Sequence, residues 1–286
     1  MFLDTFMWGR LLNQQGDLKN SLTECCSHGR IIVAITSVVE GELAQRNFLN
    51  NVRQLCGDSL VPVPVGRIAA NQIIQALVRY GRGNSRVVLS WKLALSKVPV
   101  LHHPEAGLKG IVEDVANDLK KTRQTTHAKK EELIIALVNV EREMWRDALR
   151  PYGDIFDDID AEHKAKTGNE RKTYETFFFT DYFTDLPVVV LRSYLFAQVL
   201  SERDIKINDI IDIYTISELL PYSNLFVMDR NQHHRLMRLQ RDYSQLFGHV
   251  DKNCSTSSFL KRAILDPVVA LETFLREVCN LHNPLS

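Results

Sequence analysis

The chain has no long apolar run, no Cys-x-x-Cys pair, no surplus of charge of either sign, no internal repeat and no low-complexity tract. Its uncharged apolar stretches, such as 31–39 and 186–191, are far shorter than the roughly 20 residues a membrane helix needs. No basic-then-apolar leader precedes Asp4, which argues against a secretory signal. The expectation is a soluble, cytoplasmic protein with no membrane partner.

Thirty-five basic and thirty-five acidic residues cancel. That balance argues against a protein that coats nucleic acid through bulk charge, but it leaves room for a local basic patch. Five cysteines are an odd number, the pattern of reduced thiols and not of a disulfide framework or a zinc site. No Gly-x-Ser-x-Gly elbow suggests nucleophilic catalysis. Gly81-Arg82-Gly83-Asn84 lacks both the preceding strand and the glycine spacing of a phosphate cradle, so it reads as a helix end. A phosphatase built on Asp-x-Asp after the first strand needs an acid at position 6, where this chain has Phe.

What is present is an ordinary globular composition, 45% apolar over 286 residues, with ample material for a core. An apolar strand is expected within residues 1–6, then helical spacing over 8–27. Residues 31–35 form a β-branched run expected to be a fully buried parallel strand. A helix should follow from Ser37 to about Leu55. Residues 56–66 hold Gly57, Pro62 and Pro64 and are expected to loop, before helical spacing returns over 68–80.

From 104 to 172 charged and apolar residues alternate at helical spacing, the mark of a helical elaboration. Pro187 suits the first turn of a helix running to about Ser201. Asn208 is expected to cap the next, which ends before Pro221. Residues 225–228 are the clearest buried strand, followed by a basic helix over 230–247 and a last helix over 266–281. Strands alternating with helices imply a parallel sheet covered on both faces.

Acidic residues recur where strands run into helices. Asp4 follows the first strand and Asp229 the last, so both should sit at the carboxyl edge of the sheet, where open α/β sheets bind ligands. Each could instead simply cap a helix. Ser37-Val38-Val39-Glu40 has capping-box spacing, which gives Glu40 a structural task and leaves Glu42 to face the crevice from the other side of the helix. Asp209 and Asp212 share a helix face, where they could also merely complement the dipole. Glu218 is expected to point elsewhere, into solvent. Carboxylates gathered at one edge repel unless a divalent cation lies between them, and oxygen ligands suit a hard ion.

His233-His234 diverge on a helix and should not share a metal. His102-His103 read as loop residues. Lys120, Lys121, Arg123, Lys129 and Lys130 read as a solvated face. Arg235, Arg238 and Arg241 are expected broadly on one face beside Asp229, placed for phosphate contact.

Phe-Leu-Asp-Thr (2–5), Thr-Ser-Val-Val-Glu-Gly-Glu-Leu (36–43), Asn-Asp-Ile-Ile-Asp (208–212) and Leu-Pro-Tyr-Ser-Asn-Leu-Phe-Val-Met-Asp-Arg (220–230) resemble the motifs of PIN-like nuclease domains of the larger, stand-alone kind. These segments cover about a third of the chain. The resemblance implies an α/β fold, a three-layer α/β/α sandwich with a central parallel sheet. It places one PIN-like domain over 1–286, with a core of 1–95 and 186–286 and the elaboration of 104–185 inserted.

The resemblance further implies a hydrolase: a divalent-metal-dependent nuclease, most often a ribonuclease. Mg²⁺ or Mn²⁺ would be held by Asp4, Glu42, Asp209 or Asp212, and Asp229. Arg230, Arg235 and Arg238 would bind the substrate backbone, with single-stranded RNA as the expected partner and a homo-oligomer or regulatory protein compatible with it. The stretch between Glu42 and Asp209 is far longer than in compact members, so substrate preference does not transfer. The competing reading is a PIN-like scaffold that binds nucleic acid or protein without cleaving.

Overall fold

The computed structural model describes residues 1–13, 16–63, 66–83, 108–126, 129–169, 172–244 and 267–279. Asn84, His102, His103 and the far end of the basic helix over 245–247 lie outside them.

In chain order the elements are β1 (Phe2–Leu3), α1 (Thr5–Asn13), α2 (Asp17–Ser27), β2 (Val33–Thr36), α3 (Ser37–Gln45), α4 (Leu49–Cys56), β3 (Leu60–Val63) and α5 (Arg67–Gly81). Then come α6 (Leu108–Thr125), α7 (Lys130–Leu149), α8 (Gly153–Thr167), α9 (Thr173–Phe177), α10 (Asp181–Thr184), α11 (Pro187–Glu202) and α12 (Ile207–Leu219). β4 (Phe226–Val227), α13 (Arg230–Asp242) and α14 (Pro267–Cys279) complete the series. The chain divides into two compact units, one of residues 1–65, 223–237 and 258–286, the other of 66–222 and 238–257.

The first unit holds a four-stranded, wholly parallel sheet in the order β3-β2-β1-β4. The chain is therefore α/β in class, although most of it is helical. Every residue of β1, β2 and β4 is buried, as expected for continuous apolar runs in a parallel sheet. Phe2 pairs with Ala34 on one side and Phe226 on the other. The Phe2 and Phe226 rings stack at 4.6 Å, an aromatic pair that fixes the register of two very short strands.

β3 is a finding against the sequence reading, which made 56–66 a loop. Leu60 to Val63 pair with Val33 to Thr36. Pro62 is tolerated because β3 is an edge strand, where a missing N–H need not break a ladder. Two further helix boundaries differ. The helical spacing of 8–27 is divided into α1 and α2, and 37–55 into α3 and α4, where Asn47 takes a left-handed φ of 58°.

Cys26 and Cys56 are free and buried. Cys25 is disulfide-bonded, so the expectation of reduced thiols fails there.

The second unit is helical in its described residues. Its core is aromatic: Phe156, Phe177, Phe178 and Phe183 pack with Trp145 and Leu149 against Ile73, Ala76 and Leu77 of α5. α5 approaches so closely that a Cβ on Gly81 would lie 2.6 Å from Ile159 Cγ2 and 2.9 Å from Thr173. Gly81 therefore does more than end a helix. Pro187 stands in the first turn of α11, where Gln72 Oε1 accepts the Val188 N–H at 2.9 Å. α12 starts at Ile207 after Lys206, one residue before the expected cap at Asn208. Among the described residues, no helix is long and apolar enough to cross a membrane.

Candidate functional site

β1, β2 and β4 each lead within two residues into a helix at the carboxyl edge of the sheet. The residues at those joints define the candidate site. After β1, Asp4 Oδ1 accepts the Thr5 N–H at 2.7 Å, and its carbonyl accepts Met7 and Trp8 N–H. After β4, Asp229 Oδ1 accepts Asn231 N–H at 2.6 Å and Gln232 N–H at 3.0 Å. The Asp229 side chain is thus a helix cap, whereas Asp4 stands at the equivalent position with one oxygen on the neighbouring Thr5 N–H.

At the end of β2 the cap is Thr36, whose hydroxyl accepts Val39 N–H at 3.3 Å. The capping box expected of Ser37 and Glu40 is not formed. Glu40 pairs instead with Arg53 at 2.7 Å. Glu42 points the other way, and its Oε2 accepts the hydroxyl of buried Thr5. One threonine therefore ties the two acids together, its N–H to Asp4 and its hydroxyl to Glu42.

Electrostatics register the proximity. The Asp4 carboxyl is held above its ordinary value by burial first, and by the charges of Glu42 and Asp229. The Thr5 N–H and the Arg46 guanidinium pull it back down. Arg46 escaped the sequence reading, although it lies four residues after Glu42, a spacing that shares a helix face. Thr5 escaped as well, because a threonine in the first turn of a helix carries no distinctive signal.

Asp4, Glu42 and Asp229 are near neighbours and not a closed coordination shell. Among the described residues, no group of three or more His, Cys, Asp or Glu side chains stands ready to hold a metal ion. The donor chemistry fits a hard divalent cation, since all three groups are carboxylates. It does not fit a soft one.

The other expected site residues behave differently. Asp209, in the helical unit, is 6% exposed; it accepts Arg203 Nη2 at 2.7 Å and the Lys206 N–H at 3.0 Å. Oδ2 serves the start of α12 through the Lys206 N–H, and Oδ1 is taken by the Arg203 guanidinium. Asp212 follows one turn later, half-buried.

Arg230 is exposed at the start of α13. Arg235 is buried at 9% exposure, whereas Arg238 is exposed and pairs with Glu202 at 2.7 Å. The three-residue spacing of these arginines therefore does not yield one open cationic face. Arg241 pairs with Asp242. Lys130 also reaches Asp242, at 3.4 Å, and Lys129 pairs with Glu132, so part of the expected solvated basic face is salt-bridged.

The largest departure is Glu218, expected in solvent and found 3% exposed. It accepts the Gly66 N–H with both oxygens at 2.9 Å and Arg192 Nη2 at 3.1 Å. Arg192, itself 1% exposed, also reaches Glu141 at 3.3 Å and lies 4.2 Å from the centre of the Tyr214 ring. Glu141 in turn accepts the Trp145 indole N–H at 2.9 Å. Desolvation pushes the Glu218 carboxyl up to about 7 against the pull of Arg192 and the N–H groups of Gly66 and Ala69. This cluster caps α5, whose N-terminal neighbour Gly66 takes a left-handed φ of 87°. Its role is structural.

Comparison with protein-family models, with curated proteins and with solved structures returns no match for this chain.

Proposed function

We propose that the chain is a divalent-metal-dependent nuclease of PIN-like, three-layer type, acting on single-stranded RNA. The observation that carries this reading is the gathering of carboxylates at the carboxyl edge of a parallel sheet: half-buried Asp4 is tied through Thr5 to Glu42, and its carboxyl is raised by burial and by the charges of Glu42 and Asp229. Such an arrangement opposes folding unless a cation offsets it. Ligand sites of open parallel sheets lie at this edge.

Asp4, Glu42 and Asp229 would hold Mg²⁺ or Mn²⁺. The bound ion would supply charge neutralisation at the scissile phosphate and a lowered pKa for an attacking water. Thr5 orients the pair Asp4 and Glu42. The Arg46 guanidinium, close enough to act on Asp4, would meet a phosphate oxygen, as would Arg230 in the first turn after Asp229.

Mn²⁺-dependent cleavage of a labelled single-stranded RNA, lost in Asp4→Asn and in Asp229→Asn, is the expected result. Equal cleavage by wild type and both variants would remove the site.

One observation favours a second reading, a scaffold that binds without cleaving. Asp209, a candidate for the third acid, is fully engaged by Arg203 and Lys206. On that reading the same RNA binds and remains intact at every Mn²⁺ concentration.

A further inference from the structure

Residues 177–179 are three consecutive phenylalanines with opposite fates. Phe177 and Phe178 are completely buried, while Phe179 is 60% exposed. The first two are anchored in the aromatic core, edge-on to each other and to Phe183. The turn that follows is hydrogen-bonded from Phe179 N–H to the Thr176 carbonyl and from Thr180 N–H to the Phe177 carbonyl. Phe179 is therefore pushed outward on a rigid base. It is not a loose surface residue.

Two guanidiniums flank the ring. Arg142 Cζ lies 5.3 Å and Arg146 Cζ 5.2 Å from its centre. Arg142 and Arg146 are one turn apart on α7 and share a face. Each is held in place: Arg142 Nε donates to the Phe178 carbonyl at 2.8 Å, and Arg146 Nη1 donates to Glu143 at 3.1 Å. Arg146 is thereby paired. Arg142 is bonded only to neutral oxygens, those of Phe178 and Asn139, and makes no ion pair among the described residues. The result is a fixed, uncompensated cation beside an exposed aromatic ring.

We infer that Phe179, Arg142 and Arg146 form a platform for single-stranded nucleic acid, with an unpaired base stacking on the ring and guanidiniums, and phosphate meeting Arg142. An exposed aromatic gives sequence-tolerant stacking, and arginine adds both cation–π contact and charge for the backbone. A duplex keeps its bases stacked on each other and offers no free base face. The inference rests on the proposed nucleic-acid substrate and goes beyond it, assigning to the helical unit a surface of its own for unpaired bases.

The test measures binding with divalent ions chelated, so that it is independent of cleavage. Fluorescence polarisation of a labelled single-stranded RNA is compared for wild type, Phe179→Ala, Phe179→Trp and Arg142→Gln. Phe179→Ala is expected to weaken binding about tenfold, the size of one base–aromatic stack, and Phe179→Trp to restore it. Arg142→Gln is expected to lower the salt dependence by about one phosphate contact. A duplex of the same sequence is expected to show no difference between wild type and Phe179→Ala.

Equal affinity of wild type and Phe179→Ala for the single strand overturns the platform, as does a loss that Trp does not restore. No binding of the single strand by wild type overturns it too, and leaves the patch to a protein partner. Failure of the nuclease reading looks different: the binding differences remain, and no RNA is cut when Mn²⁺ is added.

Discussion

The hydroxyl of Thr5 donates to the carboxylate of Glu42, linking the first turn of α1 to α3 across 37 positions of sequence. Because the Thr5 N–H also holds Asp4, this residue sets the spacing of two of the three acids. Outer hydrogen bonds of this kind typically change metal affinity by about 10–100-fold when removed. Thr5→Val should weaken Mn²⁺ binding by at least about tenfold on that scale, and Thr5→Ser should largely restore it. Identical Mn²⁺ isotherms for Thr5→Val and wild type would show that Thr5 positions nothing.

Arg46 acts on Asp4 from the position that ends α3. Its replacement by Gln should raise KM for RNA more than it lowers kcat, as loss of a phosphate contact made equally in ground and transition state does. A loss in kcat alone would instead assign Arg46 to the chemical step.

The buried Glu141–Arg192–Glu218 cluster gives a stability prediction. Arg192→Met leaves the buried side chains of Glu141 and Glu218 without the guanidinium that both of them meet. Breaking a buried pair from one side costs about 3–5 kcal/mol, read as a lowered midpoint in urea unfolding. A change below about 1 kcal/mol, the scale of a surface pair, would contradict this account.

Glu218 also sets a pH dependence. Its carboxyl titrates near 7 when folded, against 4.5 ordinarily. The folded chain therefore keeps a proton that the unfolded chain releases, and stability falls as pH rises between those values. The full effect is roughly 3 kcal/mol. Glu218→Gln should flatten the decline, so that the variant gains on wild type between pH 5 and about 7. Parallel stability curves for the two proteins across that window would exclude the assignment.

Some of this was legible in the sequence for physical reasons. β2 and β4 announce themselves because strands buried on both faces must be continuously apolar, and Pro187 marks the first turn of α11 because its fixed φ suits that position. Glu42 was preferred over Glu40 from helix geometry together with an expected capping box, and the box is not what forms: Thr36 is the cap and Glu40 pairs with Arg53. β3 was hidden by Pro62, since a proline signals a turn unless the strand is known to lie at an edge. Glu218 was misplaced because nothing local shows that Arg192, 26 positions earlier, is buried beside it. Asp209 was read together with Asp4 from motif spacing, whereas its oxygens are taken by neighbours three and six positions away. Long-range pairing decides these cases, and periodicity carries no trace of it.

The central claim is that Asp4, Glu42 and Asp229 jointly hold one class of divalent ion. Calorimetric titration of the full chain with Mn²⁺, beside Asp4→Asn, tests it without reference to any substrate. The account predicts a saturable heat for wild type that is lost in Asp4→Asn, together with a higher melting temperature for that variant in chelator, where one of three repelling charges is gone. A featureless wild-type isotherm, or one that Asp4→Asn leaves unchanged, would contradict it.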